Sequence, residues 1–540
     1  MTAARAAAAA ALCVALATAC TATKQTDTGG RHPWTVPGLL RIGFPDEPDS
    51  LNPMYGHTAA TDEADALIFA PVFRYDQTGR LLPELAVEVP TYANGDISQD
   101  GKTIVLRWRR GARWADGAPL TPRDLRFTWR AVMNPRNNVK TRDGWDDIAT
   151  IDVPNDATAI VHLKQPNADV LGIFATGGAA YPPLPEHLLG KLPDLNRAAF
   201  NAAPLASGPF ALERWNHGSS LEFVPNPRYW RGPPRLRHIT WRVIPNADSQ
   251  FAELQTHEID VYPNVSTDQV ARLATIPGIS VTKRLVANLR HLEFNTRKPA
   301  LADARVRRAI AEGVDWDRIN DTVYLGLNQR AVSDIMPASW AAPRIAQWRY
   351  DQSDARKLLD DAGFKLVPGD VRVRGGVPLR VTISTGTNNP SNERAELQIQ
   401  QELHGLGIDV TIKNYPVSYL FAQNGPLYGG TYDLSWTVDT EGPDPDNQAN
   451  WSGDFIPPHG ANTTFYNDPV ITAASEAAIR TFDPDKRRML YQREEERIHD
   501  LALAVFFYWE NATSAYNSDL RNYRPAQYIA DNWNAWEWEI

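Results

Sequence analysis

The sequence predicts an α/β fold, and one segment carries most of that prediction. Leu379, Val381 and Ile383 alternate along a strand, and Ile408, Val410 and Ile412 alternate along another. Between them, residues 391–404 read as a helix, with Ile399, Leu403 and Leu406 on one stripe and Gly405 as its terminator. Strand, helix and strand at this spacing make a βαβ unit, which requires a parallel strand pair. The 41 prolines and 34 glycines are spread along the chain, as expected of a scaffold with many surface connections.

Other elements follow in order. Residues 39–44 read as a first strand, after which Pro45, Pro48 and Pro53 break the chain into a loop. Residues 103–108 alternate as a strand entered through Gln99-Asp100-Gly101. Thr121 is a helix N-cap with Pro122 at the first position and Asp124 at the third, and Leu125, Trp129, Val132 and Met133 share one helical face. Helical patterns also cover 303–324 and 353–361, the latter closed by Gly363-Phe364.

Composition narrows the function. The chain has 540 residues, 43% of them hydrophobic, and roughly two to four domains are expected from length alone. A formal net charge of −9 with no long basic block argues against nucleic acid or an anionic membrane surface as the main partner. The two cysteines, Cys13 and Cys20, leave the body without a disulfide, a Cys-based metal site or a thiol nucleophile.

The N-terminus reads as an address. Residues 1–19 form a signal peptide with Arg5 as its positive end and an apolar run too short to span a bilayer comfortably. It ends Leu16-Ala17-Thr18-Ala19-Cys20, which resembles a bacterial lipoprotein box with Ala17 where Leu is usual. Cys20 is then the expected lipidation site, and residues 20–36 a tether.

Enzyme signatures are missing. The stretch from Gly95 to Lys102-Thr103 is one residue too long for a phosphate loop and enters a strand instead of leaving one. No GxSxG, HExxH or usable GxGxxG occurs, and the 11 histidines show no pair at ligand spacing. No catalytic residue, cofactor or metal is expected.

Several blocks together resemble the peptide and nickel solute-binding proteins known as extracellular solute-binding family 5. They are Asp100-Gly101-Lys102-Thr103 with the run from Leu106 through Trp108, Trp114 and Asp116-Gly117 to Thr121, then Ser207-Gly208-Pro209-Phe210 and Pro225-Asn226-Pro227-Arg228-Tyr229-Trp230. Phe294-Asn295, Val306-Arg307-Arg308-Ala309 and the stretch from Ala355 to Phe364 continue the series in the family's order. Trp108, Trp114 and Trp230 are expected to pack, and Asp116-Gly117 to turn.

The resemblance implies a two-lobed periplasmic-binding-protein-like fold of class II, with an extra domain and a hinge between the lobes. It places lobe I at 37–72, 205–288 and 507–540, the extra domain at 73–204 and lobe II at 289–506. It implies no enzyme but a monomeric, extracytoplasmic lipoprotein, at the cell surface or in the periplasm, that delivers short peptides to an ABC permease and ATPase. Family peptide binders often place an amine-anchoring aspartate after a W-x-x-D run, which Trp436-Thr437-Val438-Asp439 matches. Asp439 is the first candidate; counting back from Asp444-Pro445-Asp446-Asn447 points instead to Glu441. Tyr55, His57 and Thr58 follow Asn52-Pro53 in the segment that faces the family's cleft, and Trp436 and Trp451 are candidate pocket walls. The 17 tryptophans also suit an oligosaccharide, a nickel chelate is a weaker relative, and a lipoprotein hydrolase is the remaining class.

Overall fold

Side chains alternate between the two faces of a strand, and the alternating runs of this chain gather into one mixed eleven-stranded sheet in the computed structural model. The structure describes residues 30–540 except 176, 178, 179, 369, 388 and 529. The expected signal peptide, Cys20 and most of the tether lie outside the described residues. The main strands are β1 (Leu39–Phe44), β2 (Phe210–Asn216), β3 (Ser220–Pro225), β4 (His238–Val243), β5 (Val261–Tyr262), β6 (Ile279–Phe294), β7 (Arg380–Ser384), β8 (Asp409–Ile412), β9 (Leu434–Thr440) and β10 (Ala504–Asn517). Across the sheet they run β8-β7-β9-β6-β10-β5-β1-β4-β3-β2, with the short strand Gln329–Arg330 also pairing on β10.

The βαβ unit forms as the pattern predicts. β7 and β8 are parallel, with Val381 opposite Val410 and Ile383 opposite Ile412. The helix between them, Pro390–His404, starts where the Asn389 side chain accepts from the Ser391 and Asn392 N–H groups, and it buries Ile399 and Leu403. The helix Pro122–Met133 opens with the expected capping box, in which the Thr121 and Asp124 side chains satisfy each other's backbone N–H region. The single helix expected over 303–324 is instead two, Ala304–Gly313 and Trp316–Tyr324. Val314 is extended between them and the Asp315 side chain caps the second. Gly313 ends the first against Leu406, whose Cδ1 would lie 2.3 Å from any added Cβ.

Two large apolar cores flank the sheet. The first joins Leu40, Phe223 and Trp241 to Ile104, Val161, Trp108 and Trp114. Segment 73–204 carries its own sheet, built from Thr103–Arg107, Ile148–Asn155 and Thr158–Leu163, yet its apolar interior is continuous with that of β1, β3 and β4. The buried Glu84 ties the two together. It accepts from the Tyr229 hydroxyl at 2.5 Å, the Trp230 indole at 2.9 Å and Arg231 at 2.7 Å, with Arg74 at 3.5 Å. Burial raises its pKa, but Arg74 and Arg231 outweigh burial and hold it below the usual carboxylate range. Trp108, Trp114 and Trp230 therefore pack, and Gly117, with φ +98°, makes the turn beside Asp116.

The second core surrounds Trp316, Trp436 and Phe507. Two long strands connect the halves. β6 and β10 pair antiparallel from Ile279 opposite Asn517 to Glu293 opposite Ala504, with register shifts between Leu285 and Leu289 and between Arg290 and His291. Strands of the first core reach β10 through β5, and strands of the second reach β6 through β9.

One buried acid gives a stability test. Glu396, on the helix of the βαβ unit, accepts from Asn414 at 2.7 Å but leaves its other oxygen unpartnered, and burial pushes its pKa up to about 7. A carboxyl whose folded pKa is raised stabilises the fold relative to its charged form at low pH and loses that advantage as pH climbs from the unfolded value to the folded one. Glu396→Gln is expected to match the native melting temperature near pH 4 and exceed it at pH 8, as read by circular dichroism. Equal melting temperatures at pH 8 would refute this account.

Candidate functional site

The site grows from the pairing of β6 with β9. His291 lies opposite Thr437, Glu293 opposite Ser435 and Leu289 opposite Asp439. Leu292, Phe294, Leu434 and Trp436 enter the second core. By alternation His291, Glu293, Thr437 and Asp439 point to the other face. There they line a recess of about 220 Å³, together with Tyr428 and Glu441.

His291 is the centre of this face. Its Nε2 lies 3.2 Å from the Thr437 hydroxyl, 3.5 Å from Glu293 and 3.9 Å from Asp439. The Thr463 hydroxyl donates to the second oxygen of Glu293 at 2.5 Å. Burial opposes charge on the imidazole, but Asp439 and Glu293 overcome it and lift its pKa to about 9. Asp439 keeps 35% of its side-chain surface accessible while lining the recess. Burial raises its pKa, His291 pulls it down, and Glu293 and Asp334 raise it again. Glu441 is pushed well above the usual range by burial, then by Asp334 and Asp439. A protonated His291 faces the two carboxyl groups of Glu293 and Asp439, so the wall carries a surplus of acid. Such a wall attracts a positively charged group.

One atom each from His291, Glu293 and Asp439 can be chosen so that all three lie within 4.8 Å of one another, a spacing that can hold a metal ion. The set contains one imidazole and two carboxylates.

The expected site residues separate in space. Asp439, Glu441 and Thr437 share the recess. Trp436 does not line it: its indole is fully buried, stacked at 6.0 Å on Trp316 and packed on Phe507. Trp451 is also a core residue, packed edge-on against Phe506, with its N–H donated to Asp334 at 2.6 Å. Both candidate pocket walls are thus corrected to packing residues. Tyr55, His57 and Thr58 lie elsewhere and do not line this recess. Thr58 caps the helix Ala59–Ile68, the His57 backbone N–H binds Asp49, and the Tyr55 ring packs on the first core, where burial lifts its hydroxyl to about 12.

Comparison with known proteins fits this architecture. The family described as bacterial extracellular solute-binding proteins, family 5 (middle), matches residues 81–468. The chain belongs to this family. The oligopeptide-binding protein AppA of Bacillus subtilis is 23% identical over 519 residues, covering 94% of this chain and 93% of AppA. Its structure in complex with a nonapeptide superposes with a TM-score of 0.73, covering 93% of this chain and 99% of that one. Protein XP55 of Streptomyces lividans is 28% identical over 92% of this chain and 87% of its own. NikZ of Campylobacter jejuni, solved with Ni(L-His), has a TM-score of 0.76 at 23% identity, covering 94% of this chain and all of that one. Members of this family are extracellular solute-binding proteins. Among the described residues no helix is long and apolar enough to cross a membrane.

Sequence reasoning missed His291 and Glu293. The available signal was the alternation of Arg290-His291-Leu292-Glu293-Phe294, in which apolar positions mark one face and leave two ionisable groups together on the other. Removing the Trp436 side chain is expected to act on stability: Trp436→Ala should cost about 3–5 kcal/mol in urea unfolding. A loss below 1 kcal/mol would contradict its place in the core.

Proposed function

We propose that this protein is the extracytoplasmic binding component of an ABC importer and that its cargo is a short peptide held by its α-ammonium group at Asp439. The observation that carries this reading is the acid-rich recess on β6 and β9, in a family whose relative AppA is an oligopeptide-binding protein. A peptide ammonium supplies the positive charge that Asp439 and Glu293 together lack even with His291 protonated. Closure of the lobes about β6 and β10 would strengthen that pairing by excluding water. The lobe and extra-domain segments given above, the ATPase and permease partners and the monomeric state belong to the same proposal.

The test is calorimetric. Asp439→Ala should weaken a tripeptide by about 2–5 kcal/mol, as expected when one member of a buried charge pair is truncated. Acetylating the peptide's amine should cost the native protein a similar amount. Unchanged affinity in both experiments would remove Asp439 as the anchor. A lipid on Cys20 completes the proposal, and Cys20→Ser should move the protein from the detergent phase to the aqueous phase in Triton X-114 partitioning. Native protein already in the aqueous phase would overturn the anchor.

A second reading, a metal chelate, is favoured by the His291–Glu293–Asp439 spacing. It predicts that nickel binds the native protein and competes with peptide, and that His291→Gln abolishes nickel binding first. The oligosaccharide reading loses the support of Trp436 and Trp451, since neither lines the recess.

A further inference from the structure

Beyond the end of β9 the acids continue inward. Glu441 follows the strand, with its N–H donated to the Ala287 carbonyl at 2.8 Å, and it stands between two cavities. On one side is the recess at Asp439. On the other is a cavity of about 10 Å³, lined by Asp334, Ser339, Glu441, Asp444, Asn447 and Tyr528. That is room for about one water-sized group.

Most of the acids around this small cavity lack a cationic partner. Asp334, 4% exposed, accepts from the Asn447 amide at 3.2 Å and from the Trp451 indole. Asn447 also donates to Glu495 at 2.9 Å. Glu494 and Glu495 are fully buried, Glu494 has neither oxygen partnered, and Glu495 has one oxygen free. Arg487 is already committed to Asp444, at 2.6 and 2.8 Å, and to the Tyr491 hydroxyl. Among the described residues no cationic side chain forms an ion pair with Asp334, Glu441, Glu494 or Glu495. Burial, then the neighbouring acids, push Glu441, Glu494 and Glu495 well above the usual carboxylate range.

A second observation points to a ligand. Asn447 is 4% exposed, lines the cavity, and has its amide oxygen unpartnered. The amide cannot be turned round to satisfy that oxygen, because its nitrogen is already donated to Asp334 and Glu495. A buried acceptor with no donor costs free energy until a donor arrives. The missing partner is therefore small and donates hydrogen bonds, and because Asp334, Glu441, Glu494 and Glu495 have no cationic side chain paired with them, a cation suits the place better than a neutral donor.

We propose that this cavity is a second cation subsite, which selects peptides carrying a lysine near the amino end and seats the lysine ammonium between Glu441, Asp334 and the Asn447 carbonyl. The lysine stem would lie in the 220 Å³ recess. An ammonium is a compact point charge with three donors, whereas a guanidinium is a broad planar fork that a cavity of about 10 Å³ does not admit. The subsite thus separates lysine from arginine as well as from neutral residues. This inference rests on the peptide reading and sharpens it to a substrate class.

The experiment is titration calorimetry of the native protein with matched tripeptides in which lysine, arginine or norleucine occupies the first or the second position, the rest being alanine. At one of the two positions lysine should bind at least about tenfold tighter than norleucine and tighter than arginine. In Glu441→Gln the lysine-to-norleucine ratio should fall to within about threefold of one. Equal affinity for lysine and norleucine at both positions, with peptides otherwise bound, overturns the subsite and leaves the peptide reading standing. A preference undiminished in Glu441→Gln, or arginine bound as tightly as lysine, also overturns it. Failure of every peptide to bind overturns the peptide reading, and the subsite with it.

Discussion

β6 and β10 run side by side through the middle of the sheet, and each half of the molecule hangs from one of them. The first half reaches β10 through β5, and the second reaches β6 through β9. Their backbone ladder from Ile279 and Asn517 to Glu293 and Ala504 is the covalent and hydrogen-bonded bridge between two apolar cores. It is interrupted most widely near the middle, between Leu285 and Leu289, where the register slips, and again between Arg290 and His291. A slip of this kind kinks a strand and loosens its ladder locally, so the pair is stiff toward its ends and compliant between them. Side chains anchor both sides of the slip. Arg284 holds Asp531 at 2.7 Å, while Arg290 pairs with Glu510 at 3.1 Å and lies over the rings of Tyr324, Trp436 and Tyr508.

The candidate site begins one residue beyond that second anchor. Arg290 faces the core and His291 faces the recess, so the residue that fixes the strand and the residue that organises the acids are neighbours on opposite faces. The same period makes the recess polar on a strand whose other side is apolar. The candidate recess thus starts at the second register shift of the β6–β10 pair, between Arg290 and His291.

Much of the fold was legible because it depends on local periods. Val381, Ile383, Val410 and Ile412 announced a parallel pair, and Thr121-Pro122 announced a helix start, from a few residues each. The break at Gly313-Val314-Asp315 was less visible, because apolar spacing continues across it, although Val314 is extended and the Asp315 side chain caps the second helix. The site was half legible. Asp439 was reachable through the Trp436-Thr437-Val438-Asp439 run, but its partners His291 and Glu293 lie on a strand nearly 150 residues earlier, and no local pattern links them. Trp436 was misplaced for a reason present in the sequence itself. Residues three apart on a strand face opposite ways, so Trp436 and Asp439 cannot both line one recess.

The interior shared by segment 73–204 and the strands β1, β3 and β4 bears on how the molecule moves. Three stretches of sequence suggest three bodies and two joints. Close-packed apolar interiors transmit displacement instead of absorbing it, and Glu84 rivets this one with bonds from Tyr229, Trp230 and Arg231. Segment 73–204 and the strands β1, β3 and β4 thus form one continuous body, and the second core faces that whole body and not either part of it alone.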